Sequence, residues 1–282
     1  MTYAEGLKKG LSLSFFCELS EETMREAAAA GIDCAELSFS YDYYTNGIDF
    51  PKNAARYGKM ARDAGLSVWS LHLPFSGMLD ISNENPQLRS ITLYTNKTLI
   101  RAAAEAGAQT IVLHPSSEPI EDDRRAERMR LSRDGICQLV EECRACGLTL
   151  AVENLPRTCL CRTSDEMADL LEGTGACAVF DTNHALTEDN IHFIDTLTAR
   201  SIRIASLHIS DYGPDAAGVL DERHRLPGDG INRWNELLAA LERHGYTGPL
   251  MYEVSKKPRD REELPLAAVA ANMRDLAAGR LA

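Results

Sequence analysis

The sequence predicts a single (β/α)8 barrel over residues 1–282, and three observations carry that expectation. Short apolar or β-rich runs alternate with longer segments of helical period, the pattern of a parallel sheet covered by helices. The alternation repeats eight times, with no Pro/Ser-rich or low-complexity linker to divide the chain. Six of the runs end at a His, Asp or Glu, for which a strand buried on both faces has no structural need.

In order, the first strand is LSLSFF from Leu11, and Ser20 followed by Glu21, Glu22 and Thr23 opens the helix after it. Gly31 ends that helix, and CAELSFS from Cys34 is the second strand. A helix ending before Gly65 leads to SVWSLHL from Ser67, which closes on His72. The next helix ends at Gly107 and feeds TIVLHP from Thr110, closing on His114. After Gly147 comes TLAVENL from Thr149, with Glu153 near its end. A helix starting at Ser164 with Asp165 and Glu166 precedes CAVFDTN from Cys177, which carries Asp181. IRIASLHIS from Ile202 carries His208, and PLMYEV from Pro249, after Gly245, reaches Glu253. An open doubly wound sheet would need a glycine-rich phosphate turn after the first strand, and CELSEE supplies none.

Composition narrows the function. Hydrophobic residues at 44% and charged residues at 26% suit an ordinary folded protein. No stretch approaches the roughly 20 apolar residues of a membrane span, and residues 1–10 lack a signal-peptide core, so no membrane association and a cytoplasmic location are expected. Thirty basic residues against 42 acidic ones give a net charge of -12, which repels polyanions and argues against nucleic acid as a partner. The eight cysteines read as reduced thiols. Cys143, Cys146, Cys159 and Cys161 have paired spacing, but they fall at a helix end and after a strand, so structural zinc is not expected.

In a barrel the C-terminal strand ends converge on one mouth, which makes His72, His114, Glu153, Asp181, His208 and Glu253 neighbours. Imidazoles and carboxylates are ligands for divalent ions, and clustering carboxylates without a cation would set them repelling one another. His184, three residues after Asp181, is placed to face the same mouth. Glu222 and His224 lie in the long segment after the seventh strand, before the turn PGDG, where Gly228 and Gly230 permit positive φ and Trp234 opens a helix. His192 and His244 fall in helices and read as surface or packing residues. Arg157 and Arg223 could meet an anionic group, Phe75 could wall a ligand, and Trp69 reads as core.

Taken together, SLHLPF, VLHPS, AVENLPR, FDTNHAL, SLHISD, RHRLPGDGINRW and PLMYEVS run nearly end to end, and their order resembles the xylose isomerase-like barrel superfamily. That superfamily includes sugar isomerases and epimerases, inosose dehydratases and endonuclease IV. The resemblance implies that Glu153, Asp181, His208 and Glu253 are the ligands of one catalytic metal, as in ketose epimerase-like members, and that His184 contacts substrate. In endonuclease IV nine ligands hold three zinc ions, and the matching positions here are His72, His114, Glu153, Asp181, His184, His208, Glu222, His224 and Glu253. Where the nuclease pattern has Asp-Arg-His, this chain reads Glu222-Arg223-His224. SNENPQLRS at 82–90 looks like the segment leading into the third helix of the sugar isomerases and epimerases.

The expected activity is a divalent-metal-dependent isomerisation or epimerisation of a sugar, sugar phosphate or polyol derivative, by proton transfer next to a carbonyl through an enediolate. One Mn2+, Zn2+ or Mg2+ is expected, held by Glu153, Asp181, His208 and Glu253, with Glu153 and Glu253 serving also as acid and base from opposite sides of the mouth. His72, His114, His184, Glu222 and His224 would contact substrate or recruit further Zn2+. The alternatives are a zinc phosphodiesterase like endonuclease IV, a lyase like inosose dehydratase, and a sugar-sensing module, against which the intact carboxylates speak. A homo-oligomer formed through the outer helices stays open.

Overall fold

Each apolar run read as a strand forms one, shorter than the run itself. In the computed structural model, which describes residues 2–16, 19–38, 50–215, 217–257 and 262–281, these are β1 (Lys9–Ser12), β2 (Cys34–Leu37), β3 (Ser67–His72), β4 (Thr110–Leu113), β5 (Thr149–Glu153), β6 (Cys177–Asp181) and β7 (Ile204–His208). An antiparallel hairpin of β8 (Asp211–Pro214) and β9 (Leu220–Arg225) then intervenes before the last barrel strand, β10 (Leu250–Tyr252). The eight parallel strands pair in the order β10-β1-β2-β3-β4-β5-β6-β7. Ile209 closes the ring by bridging to Tyr252: its N–H donates to the Met251 carbonyl at 2.7 Å and its carbonyl accepts from Glu253 N–H at 3.0 Å. The expected (β/α)8 barrel is thus the observed fold.

Helices α1 (Glu21–Ala29), α2 (Phe50–Ala64), α3 (Pro86–Ala106), α4 (Arg125–Ala145), α5 (Ser164–Leu171), α6 (Asn190–Ala199), α7 (Trp234–His244) and α8 (Leu266–Ala277) alternate with the barrel strands. Ser20 makes a capping box with Thr23, and Asn85 caps α3 ahead of Pro86 at its first turn. The glycines read as helix terminators do end helices in the left-handed region, Gly107 at φ 88° and Gly245 at φ 75° among them. None of the described helices is long and apolar enough to cross a membrane.

Four details depart from expectation. The first strand starts at Lys9, whose pairing with Leu250 extends it, and stops at Ser12 because Leu13–Phe15 turn into a 3-10 helix. The second ends at Leu37, and residues 39 and 40 of the run CAELSFS lie outside the described residues, as do 17 and 18 of CELSEE. The N-cap of α5 is Thr163, which accepts from Glu166 N–H, while Ser164 bonds to Glu188. The segment carrying Glu222 and His224 is a strand, held to its partner by backbone pairing although its side chains show no apolar alternation.

Inside the barrel, Val112, Ala151, Cys177, Val179 and Ala205 form a small apolar cluster, and the Trp69 indole N–H reaches Ser206 Oγ at 3.2 Å. Facing outward, Phe180 of β6 packs on Phe193 of α6. The described cysteines are free thiols, and none joins a metal-ligating group.

Candidate metal centre

A barrel strand alternates its side chains between interior and helices, so the residue reaching the mouth is set by register. Asp181 of β6 pairs with His208 of β7, and Glu153 of β5 with Val179 one turn of the pleat below, which brings the three polar ends together inside the ring. Glu253 follows β10 directly. The ligand atoms of Glu153, Asp181, His208 and Glu253 all lie within 4.8 Å of one another, and those of His72, Glu153 and His208 form a second such group. These are the four residues singled out from the sequence.

His208 Nδ1 sits 3.1 Å from a Glu153 oxygen, 3.1 Å from a Glu253 oxygen and 3.9 Å from Asp181 Oδ2. The other Glu153 oxygen meets His72 Nε2 at 3.3 Å and His114 Nε2 at 3.2 Å. His184 Nδ1 lies 3.4 Å from both Glu153 and Asp181. Glu153, Asp181 and His208 are fully or almost fully buried.

The electrostatics fit a cation. Burial pushes the Asp181 carboxyl up and the charges of Glu153 and Glu253 add to this against His184 and His224, leaving it at about 7. Burial alone would hold His208 neutral, but the charges of Glu253, Glu36 and Glu153 raise it well above the usual imidazole range. Glu153 and Glu36 lift His72 to about 9 against its burial. Glu153, despite its burial, is drawn well below the carboxylate range by His208 and His114. Asp181 Oδ2 is buried without a hydrogen-bond partner. Three carboxylates and an imidazole with an orphaned oxygen among them could hold a divalent ion.

Above this group opens a cavity of about 390 Å3, lined by His72, His114, Glu153, His184, Glu222, His224 and Glu253 together with Phe75 and Arg157. Phe75 stacks on the His114 ring, centroids 3.8 Å apart, and is half exposed. The rings at the rim are held by their backs: Nδ1–H of His184 donates to the Asn154 carbonyl at 3.0 Å and that of His224 to the Glu253 carbonyl at 3.2 Å. His224 itself has φ 45°, a strained backbone for a non-glycine residue, and Asn183 Oδ1 accepts its backbone N–H. Glu222 pairs with Arg157 at 2.9 Å and Arg157 also with Glu118 at 2.6 Å, so this arginine is engaged by protein carboxylates. Arg223 likewise pairs with Asp221. His192 and His244 lie away from the cavity, on α6 and α7.

Three points refine the sequence reading. Glu153 and Glu253 belong to strands three places apart in the ring of eight, one short of directly opposite, so they reach the centre of the mouth from well-separated positions. Gly228 has the expected positive φ, 89°, but Gly230 does not; a Cβ there would meet the Tyr212 carbonyl at 2.2 Å and Asp211 Oδ1 at 2.3 Å. Two buried acids were missed. Asp211 accepts from Gly228 N–H, Asn232 N–H and the Trp234 indole N–H, which ties the root of the hairpin to the PGDG turn. Glu36 of β2 reaches His208 Nε2 at 3.2 Å, its only sequence signal being a lone carboxylate between Ala35 and Leu37.

The model of the xylose isomerase-like TIM barrel family matches residues 24–276. The chain belongs to this family. A curated relative, an uncharacterized protein of Methanocaldococcus jannaschii, is 26% identical over 256 residues, covering 88% of this chain and 83% of its own. Among solved structures, a D-tagatose 3-epimerase-like protein superposes with a TM-score of 0.80 at 21% identity, covering 98% of both chains. D-psicose 3-epimerase follows at 0.77 and 19%, covering 97% of this chain and 98% of that one. The 3-keto-D-glucoside 4-epimerase of E. coli gives 0.74 and 20%, covering 96% and 99%. At these identities the likeness is one of fold.

Proposed function

We propose that this chain is a divalent-metal-dependent isomerase or epimerase of a small, unphosphorylated keto sugar or polyol derivative. The observation that carries the reading is the pair Glu153 and Glu253, each with an oxygen 3.1 Å from the same His208 nitrogen at the base of a sugar-sized cavity. Glu153, Asp181, His208 and Glu253 would hold one ion, which when bound supplies positive charge for a carbonyl and an adjacent hydroxyl oxygen. Glu153 takes a proton from the carbon beside the carbonyl, and Glu253 returns one from its own side of the mouth. His184 and His224, fixed at Nδ1, turn Nε2 to the cavity and orient substrate oxygens. Phe75 and His114 form a flat wall for the sugar's apolar face.

A neutral substrate is favoured because Glu118, Glu153, Glu222 and Glu253 line the cavity, and Arg157, its one arginine among the described residues, is already paired with two of them. That pairing also weighs against the phosphodiesterase reading, which needs Glu222 free for a metal. The 3-epimerases and the 4-epimerase of similar fold support a keto sugar. The test is incubation of the Mn2+-loaded protein with a panel of keto sugars in D2O. Deuterium entering beside the carbonyl, with epimer or aldose formed, is expected; loss of a hydroxyl would make it a dehydratase, and cleavage of abasic DNA with three bound zinc ions would overturn the proposal.

A further inference from the structure

We infer that Glu36 is a positioning residue of the metal centre: it holds the His208 ring by its Nε2–H, so that Nδ1 is the nitrogen turned to the ion. The inference rests on the metal reading above. β2 lies three strands from β7 in the ring, so the Glu36 carboxylate reaches across the barrel interior to His208, and both side chains are fully buried. Its Oε2 accepts from His208 Nε2–H at 3.2 Å and from Ser70 Oγ–H at 2.7 Å, and the serine hydroxyl fixes where that oxygen stands. Among the described residues, Nδ1 faces the oxygens of Glu153, Glu253 and Asp181, the other members of the ligand group.

An imidazole with carboxylates at both edges has two tautomers open to it when it binds a cation. The acceptor that is not itself a ligand decides between them. Glu36 is that acceptor: it does not line the cavity and so cannot touch substrate. A carboxylate in this position orients the ring and also makes Nδ1 a stronger donor to the ion than a backbone carbonyl would. The arrangement differs from His72, whose Nδ1–H donates to the Leu73 carbonyl at 2.8 Å, and from His184, whose Nδ1–H donates to that of Asn154.

Two measurements test this. Calorimetric titration with Mn2+ should show Glu36→Ala binding one ion about 10–100-fold more weakly than wild type, while Glu36→Gln, whose carboxamide oxygen still accepts Nε2–H, loses less. In the metal-free protein the His208 ring N–H, identified by its absence in His208→Gln, should be a low-field, slowly exchanging NMR signal. It should move upfield in Glu36→Gln and vanish into exchange in Glu36→Ala. Folded Glu36→Ala that binds Mn2+ within about twofold of wild type overturns the inference. If that variant does not fold, an unshifted ring signal in Glu36→Gln overturns it instead. Wild-type protein that takes up no Mn2+ sinks the metal centre as a whole, whereas wild-type uptake equalled by Glu36→Ala sinks only the part assigned to Glu36.

Discussion

The two ends of β7 each meet an imidazole, and the two could hardly be treated more differently. At the N-terminal end the backbone N–H of Ile204 donates to His244 Nε2 at 3.1 Å, and Thr198 Oγ1 sits 2.6 Å from the other ring nitrogen. Burial lowers the His244 pKa, so that ring works as a neutral cap on a strand. At the C-terminal end His208 stands among Glu36, Glu153 and Glu253, which raise it despite complete burial. One strand of five residues therefore spans a floor built for stability and a mouth built at the expense of it. Carboxylates crowd at the mouth, and small apolar side chains close the interior.

Mutations at the mouth should separate activity from stability. Glu153→Gln and Glu253→Gln are expected to reduce turnover by about 10²–10⁴-fold on the substrate found by deuterium exchange. Steady-state kinetics checks this, and retained turnover would break the contrast. Away from the mouth the reverse is expected. Phe180→Ala removes a buried ring next to Asp181 in sequence but on the opposite face of β6, and should cost about 3–5 kcal/mol by denaturant titration with turnover per folded molecule preserved.

Adding the ion should stabilise by about 2.7 kcal/mol at a concentration 100 times its dissociation constant, seen as a higher melting temperature that EDTA reverses. That gain should disappear in Asp181→Asn. The smallest effect belongs to His244. Its folded pKa lies below the unfolded value of about 6.5, so the unfolded chain binds the extra proton first, and its contribution is present above about 6.5 and fades as pH falls. The stability difference between wild type and His244→Gln should accordingly shrink between neutral and mildly acidic pH. A difference that grows there would mean that the ring is held charged.

Much of this contrast is legible in the sequence, because a parallel barrel strand buried on both faces makes any polar end conspicuous. Glu153, Asp181 and His208 stand out in this way, and Glu253 lies near the end of the short run PLMYEV, directly after the strand Leu250–Tyr252. Glu36 escaped because the run CAELSFS reads as a longer strand than Cys34–Leu37, which places the carboxylate in its middle instead of near its end. The hairpin escaped for a different reason. LDERHR has neither apolar period nor β-branched residues, and its extended form comes from pairing with Asp211–Pro214, a partner whose own geometry is set by the distant PGDG turn. The close approach that only glycine permits at Gly230 is invisible for the same reason, since it depends on where Asp211 comes to rest.

The knot at Asp211 has a consequence for how this protein can vary. Gly228, Asn232 and Trp234 are fastened to one buried carboxylate, and Asn183 separately fastens the backbone of Arg223 and His224, so the base of the hairpin is fixed at both legs. Among its described residues, the connection between Pro214 and Leu220, at the far end, carries none of those ties. Insertions or deletions there should leave His224 in place over the cavity, which makes the tip the natural place to graft a loop that reshapes access to it.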